Sequence, residues 1–235
     1  MKAYAGGYRD TDNRLGQWEG ATQGVDWFDY SEPPTISPSI SVYFVLSKGE
    51  ESYSYDYRSL EESFCRWDLA VRAEKIHGAV DLHFEGLNQV PEGWILKLMD
   101  RETGEQGVLA PDAHYRYRSG KEVRRFYVDL HRAAEGEHVS GTPDRVRLYA
   151  NVPNPFNRST TLTYALPRES PVRLVVYDLV GQRVRVLVDA PRWAGTWSVR
   201  WDGRDNAGRE VASGIYIAQL KVGSTTAHRT MLLLK

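Results

Sequence analysis

Apolar and polar residues alternate over short windows along nearly the whole chain, the period-two pattern of half-buried strands. Ile40, Val42, Phe44 and Leu46 share one face of a predicted strand, followed by Leu69, Val71 and Ala73, then by Val80, Leu82 and Phe84 ahead of a Glu85-Gly86 turn. Trp94, Leu96 and Leu98 alternate with Ile95, Lys97 and Met99. Asp100-Arg101-Glu102-Thr103-Gly104 then reads as a hairpin loop in which Gly104 takes positive φ. Val123, Phe126 and Val128 supply the last strand of this half, and one helical turn is expected at residues 60–64. Around residues 133–143 the periodicity stops and small, polar residues take over, which divides the chain into domains 1–140 and 141–235.

Beyond the boundary the pattern restarts. Leu162, Tyr164 and Leu166 alternate up to Pro167, Val172, Leu174 and Val176 form the next strand, and Asp178-Leu179-Val180-Gly181 turns into Val184, Val186 and Val188. Trp197, Val199 and Trp201 share a face, Asp202-Gly203 and Asn206-Ala207-Gly208 are turn signals, and Ile215, Ile217 and Leu220 precede a final strand over residues 227–234. Short strands, frequent glycine turns and no helix read as an all-β chain of two consecutive β-sandwich, immunoglobulin-like domains.

Composition narrows the function. Lys+Arg 30 against Asp+Glu 31 leaves a net charge of -1, so no global field favours nucleic acid or an anionic membrane surface. No apolar run approaches the roughly 18 to 20 residues that span a bilayer. A single cysteine, Cys65, rules out an internal disulfide and a thiolate zinc cluster, and no motif calls for a cofactor. The N-terminal residues are polar and glycine-rich where a signal peptide needs a continuous apolar stretch. The chain is therefore expected to be either a cytoplasmic protein or the mature or C-terminal piece of something longer.

The second half carries a series of motifs: Asn151-Val152-Pro153-Asn154-Pro155-Phe156-Asn157 with Ser159-Thr160-Thr161, then Val176-Tyr177-Asp178-Leu179-Val180-Gly181-Gln182-Arg183-Val184. Ala194-Gly195-Thr196, Trp201-Asp202-Gly203-Arg204-Asp205-Asn206-Ala207-Gly208 and Ala212-Ser213-Gly214-Ile215-Tyr216 follow, before the ending Arg229-Thr230-Met231-Leu232-Leu233-Leu234-Lys235. In this order they make residues 148–235 resemble the type A, immunoglobulin-like C-terminal sorting domain of proteins exported by the type IX, or Por, secretion system of Bacteroidetes and related phyla. The Trp-Asp-Gly to Gly-Ile-Tyr portion is also similar to the immunoglobulin-like domain of the flagellar hook-capping protein. The resemblance implies a domain read by the type IX machinery and removed by a sortase-like peptidase that joins the cargo to surface lipopolysaccharide. It also implies a secreted or cell-surface location reached through the periplasm. Within it the terminal strand, with Arg229, Thr230, Met231, Leu232, Leu233, Leu234 and Lys235, is the expected recognition element, offered to a partner by strand addition; the alternative is that it is simply the last core strand and is not read.

Pro153 and Pro155 fix φ and remove two backbone donors, so this stretch is an extended lead-in that leaves Phe156 to plug the end of the sandwich. In the first half, Asn13-Arg14-Leu15-Gly16, Glu19-Gly20-Ala21-Thr22-Gln23-Gly24-Val25-Asp26 and Asp29-Tyr30-Ser31-Glu32-Pro33-Pro34 are similar to a β-sandwich module that often precedes such sorting domains. That module has no assigned activity.

Candidate chemistry is sparse. The histidines have no metal-ligand spacing, although His83 beside Asp81 and Glu85 could form a weak metal site at strand spacing. Cys65 lies next to Arg66 with no base supplied by a motif. Asp202, Asp205 and Asn206 are a weak calcium candidate in a turn, lacking the full ligand set. Tyr53, Tyr55 and Tyr57, on one face of an extended segment, are either a candidate glycan platform with Trp18, Trp27 and Phe28 as neighbours or semi-buried in the sandwich with their hydroxyls at the rim. No motif places an acid, base or nucleophile, so the chain reads as noncatalytic. The alternatives to a sorting function are an extracellular carbohydrate-binding module and a surface or filament subunit that self-associates by strand addition.

Overall fold

The alternating segments become strands, nearly all paired antiparallel. The computed structural model describes residues 1–22, 29–31, 37–46, 52–59, 63–109, 113–120, 122–133 and 143–235. They divide into two compact units, Met1–Glu102 with Val108–Ser140, and Thr103–Gly107 with Gly141–Lys235. The architecture is an all-β sandwich. Among the described residues no helix is long and apolar enough to cross a membrane.

In the first unit one sheet runs in the order β11 (His114–Ser119), β8 (Gly78–His83), β1 (Lys2–Ala5), β2 (Tyr8–Asp10). The other contains β9 (Trp94–Asp100), β12 (Val123–Arg132), β7 (Phe64–Glu74), β5 (Ser39–Val45) and β6 (Ser52–Ser59). β3 (Arg14–Trp18) lies parallel to β6, and the short β4 (Tyr30–Ser31) pairs with it antiparallel. The core forms because each sheet has an apolar face: Ala3, Val80, Leu82, Tyr115 and Tyr117 on one, and Val42, Phe44, Trp67, Leu69, Phe126 and Val128 on the other, all buried. The rings of Tyr115 and Tyr117 stand 5.7 Å and 5.6 Å from that of Phe126. Asp100 is tolerated in this core because Tyr115 Oη donates to its Oδ2 at 2.8 Å, the Arg124 guanidinium donates twice, and the Glu102 amide binds Oδ1.

Two expectations for this half change. The pattern named no strand at residues 114–119, where histidine and arginines alternate with only Tyr115 and Tyr117 as buried positions. Of the helical turn expected at 60–64, residues 60–62 lie outside the described residues, and Phe64 opens β7.

The second unit packs two sheets face to face. One holds β13 (Arg147–Leu148), β14 (Thr160–Leu166) and β17 (Gly195–Trp201), extended by Gln106 and Gly107 of β10 (Gln106–Val108) opposite Ser198 and Trp197. The other runs β16 (Arg183–Arg192), β15 (Ser170–Tyr177), β18 (Gly214–Val222), β19 (Thr225–Leu233). Leu162, Tyr164, Leu166, Trp197, Val199 and Trp201 are buried, as the alternation predicts. In β18 Tyr216, Ala218 and Leu220 point inward, so of the three apolar residues named from the sequence only Leu220 is buried, and Ile215 is 42% exposed. The pairing Tyr216↔Met231 decides this, since two residues directly opposite share a face. In β16 a register shift opposite Leu174/Val175 splits the expected face, so Val188 is buried while Val184 and Val186 are half-buried.

Thr103 and Gly104, expected in a hairpin loop of the first domain, fall with Glu105, Gln106 and Gly107 in the second unit. Gly104 does take the left-handed conformation, φ +69. Next to it Glu105 is buried: its carboxylate accepts from Tyr164 Oη at 2.8 Å and from two nitrogens of Arg192, whose guanidinium lies 5.2 Å from the centre of the Trp197 ring. Both charges are thus paired and hydrogen-bonded where water does not reach.

Candidate functional site

The last strand is where the second unit's motifs meet. β19 alternates unevenly: Thr225, Thr226, His228, Arg229 and Thr230 are exposed, Met231 and Leu233 are fully buried, and Leu232 between them is half-buried. Leu234 is 48% exposed and Lys235 is exposed. The seven tail residues named from the sequence therefore split by role. Met231 and Leu233 are core, Leu232 is half-buried, and Arg229, Thr230, Leu234 and Lys235 are exposed.

Around them the Asn-Pro-Phe, Trp-Asp-Gly and Ala-Ser-Gly-Ile-Tyr segments converge. Asn154 Nδ2 donates to the Thr230 carbonyl at 3.2 Å, and the Leu232 amide donates to Asn154 Oδ1 at 2.9 Å. Phe156 continues the contact with its own backbone, donating to the Leu232 carbonyl at 2.9 Å and accepting from the Leu234 amide at 2.8 Å. Its buried ring lies 5.5 Å from that of Trp201, which stands 5.1 Å from Tyr216. At Gly203, φ +69, an added Cβ would meet the Leu233 side chain at 3.7 Å. Gly214 pairs with Leu233, Ile215 with Leu232, and the Lys235 amide donates to Ser213 Oγ at 3.0 Å.

The end of the chain is also tied electrostatically. Lys235 Nζ lies 3.1 Å from Glu210 Oε2, and Arg204 Nη2 lies 2.9 Å from the other oxygen. The Lys235 hydrogen bond, with the charges of Lys235 and Arg204, holds the Glu210 carboxyl below its ordinary range. On the outer face of the sheet, the exposed Ile215 lies opposite the half-buried Leu232, with Ile217 two residues along, which leaves an apolar strip.

The loops at this end of the sandwich are locked by carboxylates. Asp178 Oδ1 accepts from the Val180 and Gln182 amides at 3.0 Å and 2.8 Å, a rigid turn that leaves Leu179 66% and Val180 86% exposed. Asp205 accepts from the Ala207 and Arg209 amides and from the Arg209 side chain, all at 2.9 Å. The Arg209 amide is the main cause of an Asp205 carboxyl held below its ordinary range. Asp202 Oδ1 accepts from the Arg204 amide, and Asn206 Oδ1 from the Val186 amide at 3.0 Å. The three residues named for calcium thus spend oxygens on turn and strand amides. Among the described residues no group of three or more His, Cys, Asp or Glu could hold a metal ion.

The candidates of the first unit are placed as follows. Tyr53 is 7% exposed, and Tyr55 and Tyr57 are half-buried, so the three do not form an exposed row. Tyr55 Oη donates to Asp12 at 3.0 Å, with Arg14 5.2 Å from the centre of its ring, and Tyr57 packs against Gly16. On the opposite side of β6, Asp56 and Arg58 are buried as an ion pair at 2.8 Å. Trp27 and Phe28 lie outside the described residues, as does the side chain of Trp18. His83 is stacked on His114, ring centres 5.6 Å apart, while Asp81 is held by Arg116 and Glu85 by Lys2. Cys65 is buried and accepts from Gln17 Nε2 at 3.3 Å, while Arg66 turns to Asp129.

The sequence reading missed Asn154, Glu210 and Ser213 as partners of the tail. A Pro-Asn-Pro triplet was the available signal at Asn154, since the flanking prolines have no N–H and leave Asn154 as the one residue of the triplet that can donate.

Comparison with known proteins bears on the second unit first. A family profile for the FlgD Ig-like domain matches residues 156–227. A search of curated proteins finds no match. Among solved structures the chain is similar to PorZ, an essential bacterial surface component of the type-IX secretion system of Porphyromonas gingivalis, with TM-score 0.29 and 19% identity over 46% of this chain and 14% of that chain. It is also similar to dimeric latent PorU from Porphyromonas gingivalis, with TM-score 0.35 and 14% identity over 74% of this chain and 18% of that chain. The chain spans less than a fifth of the length of either protein.

Proposed function

We propose that the second unit is a noncatalytic sorting signal for type IX export, read at its last strand. On this reading the machinery engages the exposed side chains of Arg229, Thr230, Leu234 and Lys235 with the neighbouring apolar strip, and a sortase-like peptidase then joins the cargo to surface lipopolysaccharide. The protein acts outside the outer membrane after crossing the periplasm. One observation carries the reading: the motifs that make residues 148–235 resemble sorting domains fold around the last strand. Asn154, Phe156, Gly203, Ser213 and Gly214 each touch it.

The same geometry sets the test. Deleting the tail removes Met231 and Leu233 from the core, so loss of export after deletion would not separate misfolding from a lost signal. Surface substitutions separate them. The whole chain, fused to an inert periplasmic reporter in a host with a working type IX system, should carry the reporter to the cell surface or medium. A variant with Arg229→Ala, Thr230→Ala and Lys235→Ala should keep its melting temperature within a few degrees and leave the reporter in the periplasm. Retention of the wild-type fusion, or unchanged display of a folded triple variant, would refute recognition at these side chains.

A further inference from the structure

The sheet β16-β15-β18-β19 has two edges, and an edge strand presents N–H and C=O groups that template a further strand. A parallel incoming residue would bond the carbonyl of residue i and the amide of residue i+2. Both edges of this sheet already hold an asparagine in that position. On β19, Asn154 bonds the carbonyl of Thr230 and the amide of Leu232 through its side chain. On β16, Asn206 donates its backbone N–H to the Val184 carbonyl at 3.0 Å and accepts the Val186 amide on Oδ1 at 3.0 Å. The two contacts arise from different loops and from opposite sides of the sheet.

We infer that Asn154 and Asn206 are edge clasps, which keep the sheet from accepting the edge strand of a second copy of this chain. At Asn154 the side-chain amide suits the task because it carries an acceptor and a donor on one planar group, as a peptide unit does, and aspartate there would lack the donor. At Asn206 the backbone N–H supplies the donor and the side chain only the acceptor. The clasping segment does not become a new template, because Pro153 and Pro155 on either side of Asn154 have no N–H to offer. Along β19 the closure continues one rung further, where Phe156 bonds the Leu232 carbonyl and the Leu234 amide. Arg185 Nη1 reinforces the other clasp by donating to the Asp205 carbonyl at 2.6 Å. This inference is independent of the sorting reading, although it limits how the last strand is reached: between Thr230 and Leu234 a partner meets side chains instead of an open backbone edge.

The test is the mass of the full chain by sedimentation over a range of concentrations, with Asn154→Ala, Asn206→Ala and the double variant beside the wild type. Opening one edge permits a closed, two-fold pair, whereas opening both permits open-ended growth. Each single variant should therefore gain a dimer relative to wild type, and the double variant larger species. In addition, the Leu232 amide should exchange with solvent about tenfold faster in Asn154→Ala, the equivalent of one lost hydrogen bond. If the double variant does not fold, the single variants decide the matter. Single variants that retain the near-ultraviolet circular dichroism of the wild type and its mass at every concentration would overturn the proposal.

Discussion

The Glu105 carboxylate and the Arg192 guanidinium form a two-bonded ion pair inside the second unit, with side chains 1% and 5% exposed. Removing one partner leaves the other charge buried and uncompensated. Glu105→Gln should therefore destabilise the unit by about 3–5 kcal/mol, read from urea unfolding of the full chain. The double variant Glu105→Leu, Arg192→Met removes both charges and should lose much less. Equal losses for the two would show that packing, and not the charge, sets the effect.

Gly107 should not tolerate alanine. An added Cβ would lie 2.8 Å from Cε3 and 2.9 Å from Cδ2 of the Trp197 indole, closer than real Cβ contacts come. The indole is boxed in by Trp193, ring centres 4.1 Å apart, so it has little room to yield. Gly107→Ala should cost about 1–3 kcal/mol by overpacking and should change the Trp fluorescence of the native state. A variant that melts with the wild type would mean that the strand carrying Gly107 shifts freely.

Leu233 and Leu234 are sequence neighbours with opposite expectations. Leu233 is 1% exposed and sits against Phe156 and Gly203, so Leu233→Ala should cost about 2–5 kcal/mol in thermal or urea unfolding. Leu234→Ala, at an exposed position, should change stability by no more than about 0.5 kcal/mol. Similar losses at both positions would contradict the alternation assigned to the tail.

The tie between Lys235 and Glu210 should be pH-dependent. Because the folded state holds the Glu210 carboxyl below its ordinary range, the stabilisation is fully present above the unfolded carboxylate value and is lost as pH falls through the folded one. An NMR titration should place Glu210 below the ordinary glutamate value of about 4.3. Lys235→Ala should move its midpoint upward, since the Lys235 hydrogen bond is the leading cause. An unmoved midpoint would assign the effect to Arg204.

Much of the fold was legible because its signals are local. Trp197, Val199 and Trp201 share a face by alternation alone, and Gly104 takes the positive φ its loop required. Where local signals left the inward face open, a partner strand sets it. Ile215 and Ile217 alternate as well as any core pair, yet Met231 opposite Tyr216 puts Tyr216 inside and leaves Ile215 exposed and Ile217 half-buried. Tyr53, Tyr55 and Tyr57 lie on alternate residues as expected, but the other side of β6 buries Asp56 and Arg58, which composition marks as surface. The candidate site was half legible. The tail residues and their motifs could be named, and which of them face solvent could not.

By itself the sequence determined the all-β character, most strands of the second half and the motifs that set it beside sorting domains, since alternation, turn residues and prolines act within a few positions of themselves. Only the tertiary structure decided that Asn154 clasps Thr230 across a separation of 76 residues, that Glu105 meets Arg192 across 87, and that the motifs converge on one strand. These depend on register and on burial of paired polar groups, which arise when distant segments exclude water from each other.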